Sequence, residues 1–218
     1  MTKSPPVIAV DGPAAAGKGT LARCLAESLN LPYLDTGLLY RAVGRRMLDE
    51  RLDPASQSGE QLALSLRPDD LKRTDLRTPD VDRAASLVAR DQAVRQALVH
   101  IQRAFAAERG GVLDGRDIGT VIFPDADVKL YITASARTRA ERRYMQMAGT
   151  ETETNRDAAI SEVEAALIER DRADATRAAA PLRMADDAVR IETDNLNAGQ
   201  VLAEAIRIVK SVLDAKMV

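Results

Sequence analysis

A lysine set just behind a glycine-rich turn is the first residue of this chain whose surroundings imply chemistry. Residues 12 to 20 read Gly12-Pro13-Ala14-Ala15-Ala16-Gly17-Lys18-Gly19-Thr20, directly after the apolar run Val7-Ile8-Ala9-Val10. Four residues separate Gly12 from Gly17, a spacing that curls the backbone so that successive N–H groups point at phosphate oxygens. A helix behind the loop adds the positive end of its dipole, and Lys18 reaches the β- and γ-phosphates as a point charge. The plainer alternative is a chance Gly/Ala-rich turn. Gly19 stands where many phosphate loops carry the Ser or Thr that ligates magnesium, and Thr20 follows one place later. Either Thr20 or ordered water then holds the metal.

Three further segments add charge at places where a strand gives way to a helix or turn. In Asp35-Thr36-Gly37-Leu38-Leu39-Tyr40-Arg41, Asp35 or Thr36 can serve simply as a helix cap. Arg41 emerges one turn later, on the sheet edge where open parallel sheets bind ligands, and can grip a phosphate there. Leu113-Asp114-Gly115-Arg116-Asp117-Ile118-Gly119-Thr120 reads either as a solvated turn or as a substrate loop. In the second reading Arg116 meets the transferring or accepting phosphate and Asp117 a donor group of the substrate. In Glu169-Arg170-Asp171-Arg172-Ala173-Asp174-Ala175-Thr176-Arg177, helical spacing puts Arg170, Asp174 and Arg177 on one face. The alternative is an exposed salt-bridged face worth a few tenths of a kcal/mol. Pro181 closes that helix.

The elements that must position these residues alternate strand and helix, the pattern of an α/β fold with a mainly parallel sheet. Short apolar runs at Val7–Val10, Tyr33–Leu34, Val112–Leu113, Val128–Ile132 and Val189–Ile191 suit buried strands. Helical spacing groups Leu21, Cys24, Leu25 and Ser28; Val94, Leu98, Ile101 and Phe105; Ile160, Val163 and Leu167; and Val201 through Val212. Two polar stretches interrupt the alternation and read as loops: residues 53–79, broken by Pro54, Pro68 and Pro79, and the Thr-rich run Gly149–Asp157. In a small kinase a substrate flap and a closing lid occupy such places, and closure excludes water.

Composition narrows the classes. The chain has 218 residues, 45% hydrophobic and 29% charged, with a formal net charge of −2. That argues for one sizeable core and against a nucleic-acid coat or a polybasic membrane anchor. No apolar run approaches the ~18 residues of a spanning helix, and residues 1–6 lack the apolar segment of a secretory signal. With Cys24 the single cysteine, no internal disulfide is possible and a cytoplasmic setting is expected. Of 31 basic residues 25 are arginine; coding bias and solvated surface account for most of them, so only those inside motifs bear on function. His100 and Cys24 lack the neighbours of a metal site or nucleophile and are expected to be structural.

The chain resembles the bacterial-type cytidylate kinases, within the nucleoside monophosphate kinases that share its Gly-Lys-Gly-Thr loop ending. The carrying segments are Asp11 through Thr20, Leu34-Asp35-Thr36-Gly37 with Tyr40-Arg41, Asp114-Gly115-Arg116-Asp117-Ile118-Gly119-Thr120-Val121, Ala84-Ala85-Ser86 with Val94-Arg95, and Arg170-Asp171 through Arg177 to Ala180-Pro181-Leu182. The resemblance implies a P-loop NTPase-type five-stranded parallel sheet flanked by helices, with an inserted acceptor-binding subdomain and a lid. The core is then expected at residues 1–50, 108–143 and 180–218, the acceptor-binding insertion at 51–107, and the lid with its flanking helices at 144–179. Bacterial members often carry a longer insert with its own small sheet. Residues 53–79 are too short and too proline-broken for that, so a different local architecture is expected and the choice between cytidine and uridine nucleotides stays open.

The resemblance further implies transfer of a phosphoryl group from ATP to CMP or dCMP, with magnesium bridging the phosphates. Ser86, Arg95 and Asp117 would read the cytosine edge, and Arg170 and Asp174 the ribose hydroxyls. Arg41, Arg116 and Arg177 would grip the acceptor phosphate, with Thr36 and Tyr40 lining the pocket. The loop from Gly12 to Thr20 would hold ATP, helped by Arg142 or its neighbours Arg139 and Arg143, and Lys18, Arg116, Arg170 and Arg177 would carry the catalytic charge. ATP and CMP or dCMP are the expected partners of a monomer, with no nucleic-acid polymer and no membrane. The rivals are a kinase for UMP or for shikimate, with Asp35 as base, and a non-catalytic nucleotide-binding module. A GTPase-like switch would need a guanine-reading Asn-Lys-x-Asp segment, which is lacking.

Overall fold

The structure, a computed structural model, describes residues 5–147 and 153–216. Each short apolar run forms a strand: β1 (Val7–Asp11), β2 (Tyr33–Asp35), β3 (Gly111–Gly115), β4 (Val128–Thr133) and β5 (Val189–Glu192). They make one five-stranded sheet in the order β2-β3-β1-β4-β5, and every pairing is parallel. The central strand β1 is covered on both faces, with Ile8, Ala9 and Val10 fully inaccessible, which explains a continuous apolar run without alternation. Parallel pairing brings the strands' carboxyl ends to a common edge, and Asp35 lies in register with Asp114 there.

Helices α1 (Lys18–Leu29) and α8 (Ala198–Ala215) pack through Leu21, Leu25, Ile208 and Val209 onto one face of the sheet. On that first helix Cys24 is half-buried and Ser28 exposed, so the apolar face is narrower than the spacing predicts. Helix α2 (Thr36–Asp49) follows β2, capped by the Asp35 carboxylate, which accepts from the Leu38 N–H at 3.3 Å.

Residues 51–107 form helices and turns but no strand among the described residues. They contain α3 (Glu60–Leu64), a 3-10 turn at Pro68–Lys72, α4 (Pro79–Val88) and α5 (Gln92–Ala107). No strand forms within 53–79, as its length predicts, yet the stretch is more ordered than the loop its composition suggests. Leu62 and Ala63 of α3 bury with Leu39, Val43 and Met47 of α2 and with Val94 and Leu98 of α5, forming a second core. Helices α2 and α4 touch backbone to backbone at Gly44, where an added Cβ would lie 3.0 Å from the Ala85 nitrogen.

Helix α6 (Ala136–Met147) follows β4, and α7 (Glu153–Thr176) returns against it, with Ala140, Tyr144, Ile160 and Leu167 packed beneath Ala14 of the phosphate loop. Of the Thr-rich run read as a loop, residues 149–152 lie outside the described residues and 153–157 open α7. No helix among the described residues is long and apolar enough to cross a membrane. His100 sits exposed on α5.

Candidate active site

The phosphate loop is shaped from below. Gly12 has φ +147°, and a Cβ there would lie 2.0 Å from the Ile132 carbonyl oxygen on β4, so only glycine lets the chain turn this close to the neighbouring strand. Gly17, in the left-handed region at φ +90°, starts α1 with no side-chain cap. The first N–H groups of that helix are thus left for a ligand. Lys18 is buried, its Nζ donating to the Pro13 carbonyl at 2.7 Å. Burial, and then the charge of Arg116, push its pKa down to about 7.

A cavity of about 730 Å³ opens along the carboxyl ends of the strands. Ala14 through Thr20 line it, whereas Gly12 and Pro13 are not among its lining residues. Arg41, Arg116, Arg170 and Arg177 line the same cavity, as do Thr36, Tyr40, Ser86, Arg95 and Asp117. The predicted acceptor residues, scattered over more than half of the sequence, are therefore brought into one space. Arg142 also lines it, its guanidinium donating to the Thr193 hydroxyl at 2.8 Å and carbonyl at 2.5 Å. Arg139 does not reach the cavity. It donates to the carbonyls of Ala134 and Ala14 and pairs with Asp171 at 2.6 Å, bracing the loop from behind.

The charged groups are pinned by one another. Arg116 Nε donates to Asp174 at 3.0 Å. Arg95 forms a buried ion pair with Asp117 and lies 5.5 Å from the Tyr40 ring centroid, a cation–π distance. Arg177 stands 3.6 Å from Asp117 and 3.7 Å from Asp174. It comes just after α7 ends at Thr176, so it is not on the helical face that its spacing predicts. The chain's turn, with Ala180 in the left-handed region and the Leu182 N–H bonded to the Asp174 carbonyl, carries it back beside that face. Arg170 Nε and Arg177 Nη2 are buried without a hydrogen-bond partner. Burial, and then Arg116, push the Arg170 pKa down to about 10.

Beneath these groups Asp11 accepts from the N–H groups of Ile118 and Gly119 at 2.9 and 2.7 Å. It thereby ties the base of the phosphate loop to the segment bearing Arg116 and Asp117. Asp114 accepts from the Tyr33 hydroxyl at 2.9 Å, and its other oxygen faces Gly19, 3.7 Å from where a Cβ would stand. Burial, and then the nearby Asp35 carboxylate, push Asp114 up to about 6. The sequence had singled out neither aspartate for a role, nor Thr193, nor Asp82, because their partners are distant in the chain.

Comparison with known proteins completes this picture. The profile described as "Cytidylate kinase" matches residues 8–211. This chain belongs to the cytidylate kinase family. It is 55% identical over 210 residues to the cytidylate kinase of Acidiphilium cryptum, spanning 96% of this chain and 97% of that one. It is 55% identical over 207 residues to the cytidylate kinase of Granulibacter bethesdensis, spanning 94% and 96%. Among solved structures, a gluconokinase from Sinorhizobium meliloti aligns with a TM-score of 0.53 at 14% identity, covering 99% of this chain and 97% of that one. A shikimate kinase from Bacteroides thetaiotaomicron aligns with a TM-score of 0.50 at 13% identity, covering 96% and 98%. At these identities the two structures speak for the shared P-loop kinase fold alone. Membership in the cytidylate kinase family makes the protein an ATP-dependent kinase, a class of reaction that generally uses Mg2+.

Proposed function

We propose that this chain transfers the γ-phosphoryl group of ATP to CMP or dCMP, giving ADP and CDP or dCDP. The observation that carries the reading is a single cavity in which a phosphate loop faces four arginines, in a chain of the cytidylate kinase family. ATP lies with its phosphates on Ala14–Thr20 and its base toward Arg142 and Thr193. The acceptor lies at the insertion end. There Arg41, Arg116 and Arg177 grip its phosphate, Arg170 and Asp174 its ribose hydroxyls, and Ser86, Arg95 and Asp117 its base edge. Residues 51–107 then form the acceptor-binding insertion, and 144–179 the lid with its flanking helices.

No general base is required. The acceptor atom is a phosphate oxygen whose second ionisation lies near pH ~6, so it is already a nucleophile at neutral pH. The obstacle is bringing two polyanions together, and fixed cations facing the in-line path lower it. Lys18 and Arg116 neutralise the transferring group while the arginines hold the acceptor in line.

The site suits magnesium. The described residues hold no group of three or more His, Cys, Asp or Glu side chains arranged to cage a metal, and one buried carboxylate, Asp114, faces the phosphate loop. A hard cation that keeps its waters and binds through substrate phosphates needs no more. Thr20, at the loop's end, and Asp114 would hold it, directly or through water. Arriving with ATP, magnesium would supply further neutralisation of the phosphate charge. The protein acts as a cytoplasmic monomer.

A coupled ADP-release assay with ATP, magnesium and CMP, dCMP, UMP, AMP, GMP or shikimate tests the reading. Turnover led by CMP and dCMP supports it; turnover led by another acceptor overturns the base-edge assignment. The shikimate alternative is disfavoured because Asp35, its intended base, caps α2 and pairs with Arg77 at 3.0 Å.

A further inference from the structure

The scheme above leaves the carboxylate of Asp82, in the cavity wall, without a task. Asp82, in the first turn of α4, accepts from Arg41 Nε at 2.8 Å and from Arg143 Nη2 at 2.6 Å. The three side chains come from α2, α4 and α6, and all three line the cavity. Asp82 is only 13% exposed, against 16% for Arg41 and 32% for Arg143. Burial works against its charge, but Arg41, Arg170 and Arg143 outweigh it and hold the carboxyl below its ordinary range.

The geometry of the pairing is selective. Arg41 is taken by its Nε edge, which leaves the Nη fork free of Asp82. That fork lies against the first turn of α2, where a Cβ on Gly37 would come within 2.9 Å of Nη1. A guanidinium is a rigid plane, so fixing one edge aims the other. The carboxylate is itself fixed by packing, because Gly44 allows α4 to sit directly on α2. One carboxylate between two guanidiniums also leaves the trio cationic, and attraction for phosphate survives.

We propose that Asp82 is a positioning residue for phosphate recognition: steadied by Arg143 Nη2, it holds Arg41 by the Nε edge so that the Arg41 fork is presented to the acceptor phosphate. This rests on the acceptor assignment made above. A strut joining α4 to α6 would use the same contacts, but its loss would not act through Arg41.

Steady-state kinetics with CMP and ATP varied in turn separate these readings for wild type, Asp82→Asn, Asp82→Glu, Arg41→Ala and the double variant Arg41→Ala/Asp82→Asn. Asp82→Asn raises the KM for CMP by about tenfold or more, the worth of a hydrogen bond to a charged group, and leaves the KM for ATP within about twofold. Asp82→Glu recovers most of the loss. In the Arg41→Ala background Asp82→Asn adds little, since residues acting through a shared partner are not additive. Asp80→Asn, on the same helix but outside the cavity and paired with Arg45 at 3.5 Å, leaves both KM values unchanged. An unchanged KM for CMP in Asp82→Asn, equal rises in both KM values, or full additivity with Arg41→Ala overturns the proposal. Should Asp82→Asn fail to fold, Arg143→Ala carries the test, and an unaltered KM for CMP there overturns it equally. A wild-type protein that does not phosphorylate CMP removes the underlying assignment instead.

Discussion

Arg95 of α5 and Asp117 of the segment after β3 form an ion pair with both side chains 7% exposed. The pair joins the insertion to the sheet at the point assigned to the cytosine edge. Asp117 also faces Arg177 at 3.6 Å, so it balances two buried cations. Removing one member of a buried pair strands the other charge and costs about 3–5 kcal/mol. Asp117→Ala is therefore expected to lower the urea midpoint by that equivalent and to raise the KM for CMP. A midpoint equal to wild type would contradict the burial of this pair.

Lys18 should separate rate from stability. Replacing it with Met removes a cation fixed beside the transferring phosphate, and kcat in the ADP-release assay falls by about 10²–10³. The fold gains at the same time, because burial lowers this pKa from 10.5 to about 7. The unfolded chain binds the extra proton between those values, so this residue's contribution to stability rises with pH from 7 to 10.5. Lys18→Met should exceed wild type most in urea midpoint at and below pH 7, with the difference closing toward pH 10.5.

Asp11 gives the opposite slope. Burial, which outweighs its bonds to Gly119 and Ile118, raises its pKa from 3.8 to about 6. The folded state then holds a proton that the unfolded state has lost, and this group's contribution to stability falls as pH rises from 3.8 to 6. Asp11→Asn removes that slope. The gap in urea midpoint between variant and wild type should change across pH 4 to 6 and stay constant from 6 to 8. A gap independent of pH would show that Asp11 titrates normally.

Asp174 bears on sugar recognition. It holds Arg116 at 3.0 Å while lining the cavity, so Asp174→Asn should weaken both acceptors. The loss for CMP should exceed that for dCMP by about tenfold if the carboxylate bonds the 2′-hydroxyl. The ratio of the two kcat/KM values measures this, and equal losses would assign Asp174 to Arg116 alone.

What the sequence made legible was what lies close together along it. The five strands follow from short apolar runs, most plainly in β1, which is covered on both faces and so shows no polar alternation. The phosphate loop is likewise local, nine residues whose spacing states its own geometry. The insertion was harder to read. Leu62 and Ala63 look unremarkable within a polar stretch and become a helix only because α2 and α5 offer them a core. Spacing puts Arg177 on a helical face that ends one residue before it. Its return to the cavity depends on the turn at Ala180, which spacing alone does not reveal. The supporting carboxylates were hidden for a similar reason: Asp11 and Asp82 act on groups 107 and 41 positions away.

Apart from Lys18, every cation that lines the cavity is an arginine. A guanidinium keeps its proton throughout the range in which life proceeds, and even the most perturbed of these, Arg170, stays protonated to about 10. CMP's phosphate, by contrast, takes up a second proton near pH ~6. As pH falls through that value the arginines keep their full charge while the phosphate they hold loses part of its own, so the grip weakens from the substrate's side.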